Sequence, residues 1–277
     1  MKILVTHLSP DLDALCACWL IKRFLPGWEK AEIKYVPAGL TLDNQPVDES
    51  KKIIHVDTGL GKFDHHQTND FTCSTKLVLD FLIKKNHITS QNIQSLIRLT
   101  NFVNEIDHFY QAFYPDPTAD YYDFCLHQIV ESLKSVTNRM DKVEEIVLML
   151  LDSELLLFKN KLAAEEEIKK GFIFQSLWGK TIVMESRNNE VLNLALKMKF
   201  HLAVKKDPEK GNIRIKTMPG EKYDLTPLWE KIIKNDKVGT WFLHVSKNML
   251  LNGSAKSSRF IPSPLTLKRL IEIIKSV

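Results

Sequence analysis

The chain has 277 residues, of which 44% are hydrophobic and 26% charged, the balance of a folded, water-soluble protein. This length suffices for two domains, and the composition excludes extended disorder and low-complexity scaffolds. No apolar run reaches the roughly 20 residues that a membrane-spanning helix needs, and the first residues turn polar after one strand. We therefore expect no secretion signal, no membrane partner and a cytoplasmic location.

The net charge of +4 conceals an asymmetry along the chain. Residues 199–277 contain 16 Lys and Arg against 7 Asp and Glu, whereas the preceding residues carry a net charge of −5. An acidic front part is suited to holding cations, and a basic rear part is suited to holding a polyanion. An ordinary solvated basic face explains the charge of the rear part equally well.

Short apolar runs and helix-like segments alternate in the first part of the chain. This βαβ order predicts a parallel sheet covered by helices, an α/β fold in which ligands collect at the carboxyl ends of strands. His7 and Asp57 stand directly after predicted strands and so fall at that edge. The predicted strands are residues 2–6, 32–37 and 52–57, and the predicted helices are residues 12–24, 75–85 and 91–102.

Aromatic residues and prolines dominate residues 110–123, which predicts a self-packed surface loop. A lid, or a stacking surface for a substrate base, is the alternative interpretation. Residues 141–170 lack Pro and Gly and predict one long helix, after which strands and helices alternate again. We expect a first domain over residues 1–138, a linker helix over 139–171 and a smaller α/β domain over 172–277.

The segment from His7 to Asp13 concentrates one imidazole and two carboxylates between a strand and a helix. Capping of the helix explains Asp11 alone, but it does not explain His7 and Asp13 beside it. Such carboxylates mixed with imidazole, without thiolates, favour manganese, magnesium, cobalt or iron over a structural zinc. This segment therefore indicates metal binding.

A second group of polar residues follows the third predicted strand. Asp57 ends that strand, and a lone aspartate there is usually a turn former. Asp64-His65-His66 follows after two glycines, which allow the backbone to fold tightly and bring these residues back to Asp57. Together the two segments supply enough ligands for two ions that share a bridging carboxylate.

Three segments, taken in order, resemble the first three motifs of the DHH phosphoesterase superfamily: His7-x-x-x-Asp11-x-Asp13-Ala14, Asp57 and Asp64-His65-His66. Asp107 matches the fourth motif in order and setting. The stretch from Val56 to Gln67 is especially similar to the exonuclease branch known from the melanocyte-proliferating-gene proteins. The resemblance covers residues 3–110.

The resemblance implies a metal-dependent hydrolase of phosphoester bonds with two metal ions, manganese first and magnesium or cobalt as alternatives. In that family the bridging ligand would be Asp57, His66 would face the substrate phosphate, and Asp64 would orient the histidines from behind. His66 and Asp64 are therefore the catalytic candidates. The metal-ligand candidates are His7, Asp11, Asp13, Asp57, His65 and Asp107.

In that family the second domain closes over the first and grips the substrate, in many members through a Gly-Gly-Gly-His-type segment. The corresponding stretch here lacks the triple glycine, so the resemblance implies a divergent C-terminal substrate-binding domain beside a catalytic DHH domain. A polar loop before the last helix is the alternative interpretation. The substrate-binding candidates are Asn252, Gly253, Ser254, Lys256 and Arg259.

Residues and resemblance together predict an exonuclease, or an oligonucleotide or nucleotide phosphodiesterase, that uses a water activated by two metals. Its partner would be a short nucleic acid or a nucleotide, and the pattern is compatible with an oligomer as well as a monomer. Two alternatives stay open. The same site would also suit pyrophosphate or a small phosphomonoester, and a noncatalytic nucleic-acid-binding homologue would retain the same fold.

Overall fold

The computed structural model describes residues 1–253 and 260–277. The chain is an α/β protein that divides into two compact units, Met1–Lys159 (unit 1) and Asn160–Val277 (unit 2). The division falls inside the long helix that the sequence predicts, which runs over Met140–Lys169. Among the described residues, no helix combines the length and the apolar character that crossing a bilayer requires.

Unit 1 is built on three parallel strands in the order β2-β1-β3, which confirms the predicted α/β fold with a parallel N-terminal sheet. Helices make up most of the rest of the unit. The strands are β1 (Ile3–His7), β2 (Glu32–Val36) and β3 (Ile53–His55). The helices are α1 (Leu12–Phe24), α2 (Ser74–Lys84), α3 (Ser90–Asp107), α4 (Leu126–Thr137) and α5 (Met140–Lys169).

Helix α1 forms the centre of the core of unit 1, because its residues are apolar almost throughout. Every residue from Leu12 to Ile21 is buried, including the one carboxylate among them. Leu20 is fully buried and belongs to one core cluster with Val147 and Leu151 of α5. The helix begins after Asp11, whose side chain caps its N-terminus. It ends at Phe24, because the next residue, Leu25, precedes a proline and is extended.

Two helical segments of unit 1 differ from the sequence expectation. Helix α3 was predicted to stop at residue 102, but it continues to Asp107 because Val103 extends its buried stripe and no Pro or Gly interrupts it. Helix α4 was not predicted. Between α3 and α4 the aromatic stretch forms two short 3-10 turns, Tyr110–Phe113 and Asp120–Phe124, within an otherwise irregular segment.

Unit 2 contains a six-stranded sheet in the order β4-β5-β6-β7-β9-β8, antiparallel except for the parallel pair β5–β6. Its strands are β4 (Phe172–Ser176), β5 (Gly179–Glu185), β6 (Leu202–Lys206), β7 (Ile213–Thr217), β8 (Trp241–Leu243) and β9 (Met249–Asn252). Its helices are α6 (Glu190–Lys197), α7 (Thr226–Asn235) and α8 (Leu267–Lys275).

The sheet of unit 2 is covered on both faces. Successive residues of β5 point to opposite sides, so Val183 joins the core cluster that contains α7 and α8, whereas Ile182 joins the cluster that contains α6. Strand β9 was not predicted, since the sequence assigned this stretch to a substrate-gripping loop. It lies inside the sheet, between β7 and β8.

Replacement of Leu20 by Ala tests the central position of α1. Leu20 is 0% exposed, so we expect Leu20→Ala to lower the free energy of unfolding by about 3 kcal/mol through lost burial and a residual cavity. Leu156→Ala on α5 is the matched control, because Leu156 is 58% exposed and its loss should change stability by less than about 0.5 kcal/mol. Urea denaturation followed by far-UV circular dichroism measures both, and equal effects would contradict this packing.

Candidate metal centre

The candidate site lies at the carboxyl ends of β1 and β3, the edge at which parallel sheets bind ligands. His7 is the last residue of β1, and Asp57 follows β3 after one further residue. Asp57 has a φ of +56°, a left-handed conformation that aspartate adopts more readily than most residues. The chain reverses there, and the Asp57 amide donates to the carbonyl of Phe63 at 2.9 Å. This return places Asp64, His65 and His66 beside Asp57.

Side chains from four segments of unit 1 converge at this edge. Three sets of three residues each bring one ligand atom per residue within 4.8 Å of one another. Asp57 and His65 each belong to two of the sets, so the sets form one continuous cluster. The sets are His7–Asp11–Asp57, Asp13–His65–Asp107 and Asp57–His65–His66. All six residues that the sequence proposes as metal ligands are therefore brought together, with His66 beside them.

Asp57 belongs to the first set and also contacts His65 of the second. Its Oδ2 is 3.2 Å from Nε2 of His7, and its Oδ1 is 3.4 Å from Nε2 of His65. Ser74 also donates its hydroxyl to Oδ1, at 3.0 Å. The two oxygens of one carboxylate thus face two different ligand sets, which is the arrangement that a ligand shared by two cations requires.

Asp11 and Asp13 are fixed by helix termini. Asp11 caps α1 by accepting from the amide of Ala14 at 3.0 Å, and it also belongs to the first ligand set. The two oxygens of Asp13 accept from the amides of Ser74 and Thr75, both at 2.8 Å, at the start of α2. The N-terminus of a helix favours a negative charge. The cap predicted for Asp11 and its place in the cluster are therefore compatible.

Burial and mutual repulsion shift the titration of the cluster. Burial together with the neighbouring Asp57 raises the pKa of Asp13 to about 6, and burial together with Asp13 raises the pKa of Asp107 to about 7. The hydrogen bond to Asp57 raises the pKa of His7 and that of His65 to about 9. Burial acts to raise the pKa of Asp57 itself, but hydrogen bonds from both imidazoles lower it below the usual range.

This set of donors suits a pair of hard or intermediate divalent cations. Four carboxylates lie in one partly buried cluster with imidazoles, so positive charge placed there would offset their repulsion. Burial raises the pKa of the Cys73 thiol, which lies beside Asp13, far above the usual range, and this disfavours a thiolate ligand. Oxygen and imidazole ligands without thiolate suit manganese, magnesium, cobalt or iron. The residues present therefore fit the metal ions that the sequence predicts.

His66 stands at the exposed rim of the cluster, with its side chain 58% exposed. Its Nδ1 is 2.8 Å from Oδ1 of Asp64, which turns Nε2 away from Asp64. Asp64 is buried and also accepts from the amides of Leu60 and His66 at 2.7 and 3.1 Å. Asp64 is thus placed to hold the ring of His66 in one orientation.

Three polar residues beside the cluster were missed by sequence reasoning. Ser74 and Thr75 hold Asp13 and Asp57, and their only sequence signal is a Ser-Thr pair at a helix start. Lys134 of α4 lies 3.4 Å from the carbonyls of Ser9 and Pro10, and its charge lowers the pKa of Asp11, partly offsetting the larger effect of burial. Because α4 itself was not predicted, nothing in the sequence indicated that Lys134 would lie beside the cluster.

The predicted substrate-binding stretch of unit 2 is only partly described. Ser254, Lys256 and Arg259 lie outside the described residues. Gly253 is described and has a φ of +71°, and a Cβ on it would lie 1.6 Å from the ring of Phe260. Close packing against that ring therefore requires glycine at this position.

Asn252, at the end of β9, has a structural role in unit 2. Its side chain donates to the carbonyls of Thr240 and Ile261 at 2.9 and 3.1 Å and accepts from the amide of Ser263 at 2.7 Å. The residue is 0% exposed. Its side-chain amide is therefore occupied inside the fold, so the substrate-binding role predicted for this residue falls to its backbone groups.

Comparison with protein-family models and with curated proteins finds no match to this chain. Among solved structures, the chain is similar to an exopolyphosphatase-related protein from Bacteroides fragilis, with 14% identity and a TM-score of 0.30, over 99% of this chain and 91% of that one. A similarity this weak carries no argument about activity. The geometry of the cluster itself has to support a function.

Metal binding to this cluster should release protons. His7 and His65 have pKa values of about 9, so they are largely protonated at neutral pH without metal and must lose those protons to become ligands. We expect the affinity for Mn²⁺ to rise as pH increases from about 6 to 9, by up to roughly tenfold per pH unit for each proton displaced.

Isothermal titration calorimetry in buffers of different ionisation enthalpy counts the released protons. Far-UV circular dichroism across the same pH range serves as the control that the fold is unchanged. An affinity independent of pH, with no proton released, would contradict the assignment of these histidines as ligands.

Proposed function

We propose that this chain is a metal-dependent phosphodiester hydrolase, an exonuclease or an oligonucleotide or nucleotide phosphodiesterase. The observation that supports it is the meeting of two ligand sets at Asp57, whose two oxygens face His7 on one side and His65 on the other. Two cations sharing a carboxylate are a recurrent solution for hydrolysing phosphate esters. The proposed substrate is a short nucleic acid or a nucleotide.

One cation would be held by His7, Asp11 and Asp57, and the other would be held by Asp13, His65 and Asp107, with Asp57 shared between them. Manganese is the proposed ion, and magnesium or cobalt also suits these ligands. When bound, such ions supply an activated water for attack on phosphorus and neutralise charge on the phosphate oxygens.

The protein's own groups orient the reaction. Asp13 and Asp57 are fixed by the first residues of α2, so the ligand oxygens need little rearrangement when metal binds. His66 presents Nε2 at the exposed rim while Asp64 holds Nδ1. In this position His66 would donate to a phosphate oxygen and stabilise the charge that develops on it.

The charge distribution agrees with a polyanionic substrate. Residues 199–277 carry 16 basic against 7 acidic side chains, so their charge suits a polyanion. Binding through several phosphates should weaken as salt is added. Pyrophosphate or a small phosphomonoester would use few of these charges, and this favours an oligonucleotide.

Asp57→Asn tests the shared ligand. Asn also adopts the left-handed conformation that residue 57 requires, so the fold should persist. We expect this variant to lose at least about a hundredfold in hydrolysis and to bind fewer than two Mn²⁺ per chain, because the charge between the two sets is gone.

The assay measures release of mononucleotides from short RNA and DNA oligomers with Mn²⁺, and phosphate release from pyrophosphate in parallel. Asp80→Asn, an exposed aspartate on α2, is the matched control and should behave as wild type. If the wild-type protein cleaves no oligonucleotide, or cleaves only pyrophosphate, the phosphodiesterase proposal is wrong.

His66→Ala separates a substrate-facing role from metal ligation. We expect it to retain two bound Mn²⁺ and to lower kcat by about a hundredfold, the effect of removing one hydrogen-bond donor from a developing oxyanion. Equilibrium dialysis gives the stoichiometry and steady-state kinetics give kcat. Loss of one ion would instead make His66 a ligand, as its place in the third set allows.

A further inference from the structure

A row of rings leads away from the metal centre of unit 1. We name His108, Phe71, Tyr110 and Phe113 the ring row. The ring of His65 lies 6.2 Å from that of His108, which lies 4.5 Å from Phe71. Phe71 in turn lies 4.8 Å from Tyr110, and Tyr110 lies 5.7 Å from Phe113. The row therefore begins beside His65, a proposed metal ligand, and continues without a gap.

Exposure increases along the ring row. The side chain of His108 is 27% exposed, whereas Phe71 is 45%, Tyr110 47% and Phe113 81% exposed. Aromatic side chains of this size normally bury most of their surface, and an exposed apolar patch continuous with a polar site points to a ligand. The outer rings thus offer open faces on the surface of unit 1.

The backbone is held in an unusual conformation to build this row. Phe109 has a φ of +56°, a left-handed conformation that is uncommon for a bulky residue. It follows the end of α3 and turns the chain so that Tyr110 comes back to Phe71. A strained backbone conformation of this kind persists only where the surrounding structure imposes it, and such conformations are concentrated at functional sites.

We propose that Phe71, Tyr110 and Phe113 form a subsite on which the bases of the substrate stack. This inference rests on the proposed phosphodiesterase function, since a phosphate held beside His65 would carry its nucleoside toward the row. Bases stack on aromatic side chains whatever their sequence, because every base has a π-face. Inorganic pyrophosphate and polyphosphate have none, so the subsite selects for nucleic acid.

Binding of a fluorescent trinucleotide tests the subsite without depending on hydrolysis. The probe carries 2-aminopurine bases, whose fluorescence is quenched by stacking, and Ca²⁺ replaces Mn²⁺ to suppress cleavage. We expect saturable quenching with wild-type protein. Tyr110→Ala and Phe113→Ala should each raise the dissociation constant about tenfold, whereas Phe113→Tyr, which keeps a ring, should bind as wild type.

Phe124→Ala is the matched control, because Phe124 belongs to the same aromatic stretch, is 83% exposed and lies outside the ring row. It should bind the probe as wild type. Thermal melts of every variant confirm that these exposed substitutions leave the fold intact. The proposal is overturned if wild-type protein does not quench the probe, if both alanine variants bind as tightly as wild type, or if Phe124→Ala weakens binding equally.

The two proposals fail separately. Ring-dependent quenching without nucleotide release in Mn²⁺ would leave the stacking subsite standing and remove the hydrolase. Nucleotide release that is unchanged in kcat and KM by Tyr110→Ala and Phe113→Ala would leave the hydrolase standing and remove the subsite. The exposed rings would then be a surface for a protein partner instead.

Discussion

The main electrostatic constraint on unit 1 is the repulsion among four carboxylates that lie in one partly buried cluster. Asp11, Asp13, Asp57 and Asp107 meet there, and in the absence of metal their repulsion is opposed by His7 and His65 and, at Asp11, by the charge of Lys134. Their pKa values diverge as a result: burial and neighbouring carboxylates raise that of Asp107 to about 7, whereas the histidines hold that of Asp57 low. Without metal, this arrangement lowers the stability of the folded state, and bound divalent cations would offset the repulsion.

The groups that fix these carboxylates are the same groups that build the fold. The amides at the start of α2 hold Asp13, the amide of Ala14 binds Asp11, and the hydroxyl of Ser74 binds Asp57. The ligand atoms are therefore positioned by helix termini before any ion arrives. Because cations would bind only this folded arrangement, metal and fold stabilise each other in unit 1. The ring row continues from the cluster toward the surface through His108. A substrate with both a phosphate and a base would contact the cluster and the ring row together, and this supports a nucleotide substrate.

Much of the fold and of the cluster could be predicted from the sequence, because the relevant signals are local. Helix α1 has the predicted limits Leu12–Phe24, since an apolar run bounded by Asp11 and Pro26 leaves little choice. His7 and Asp57 could be placed together because parallel strands end at one edge. The contacts of Ser74, and that between Phe71 and Tyr110, could not be predicted, since each depends on where a reversed chain returns in space. Strand β9 was missed for a related reason, because its pairing with β7 is what makes it a strand.

Two cations bound on the two sides of Asp57 would be visible in a crystal structure of the protein grown with saturating Mn²⁺, with anomalous scattering recorded at the manganese edge. We expect two anomalous peaks that share Asp57 as a ligand, one also bound by His7 and Asp11 and the other by Asp13, His65 and Asp107. A single peak, or none, in a crystal with unit 1 intact would show that Asp57 is not shared by two cations.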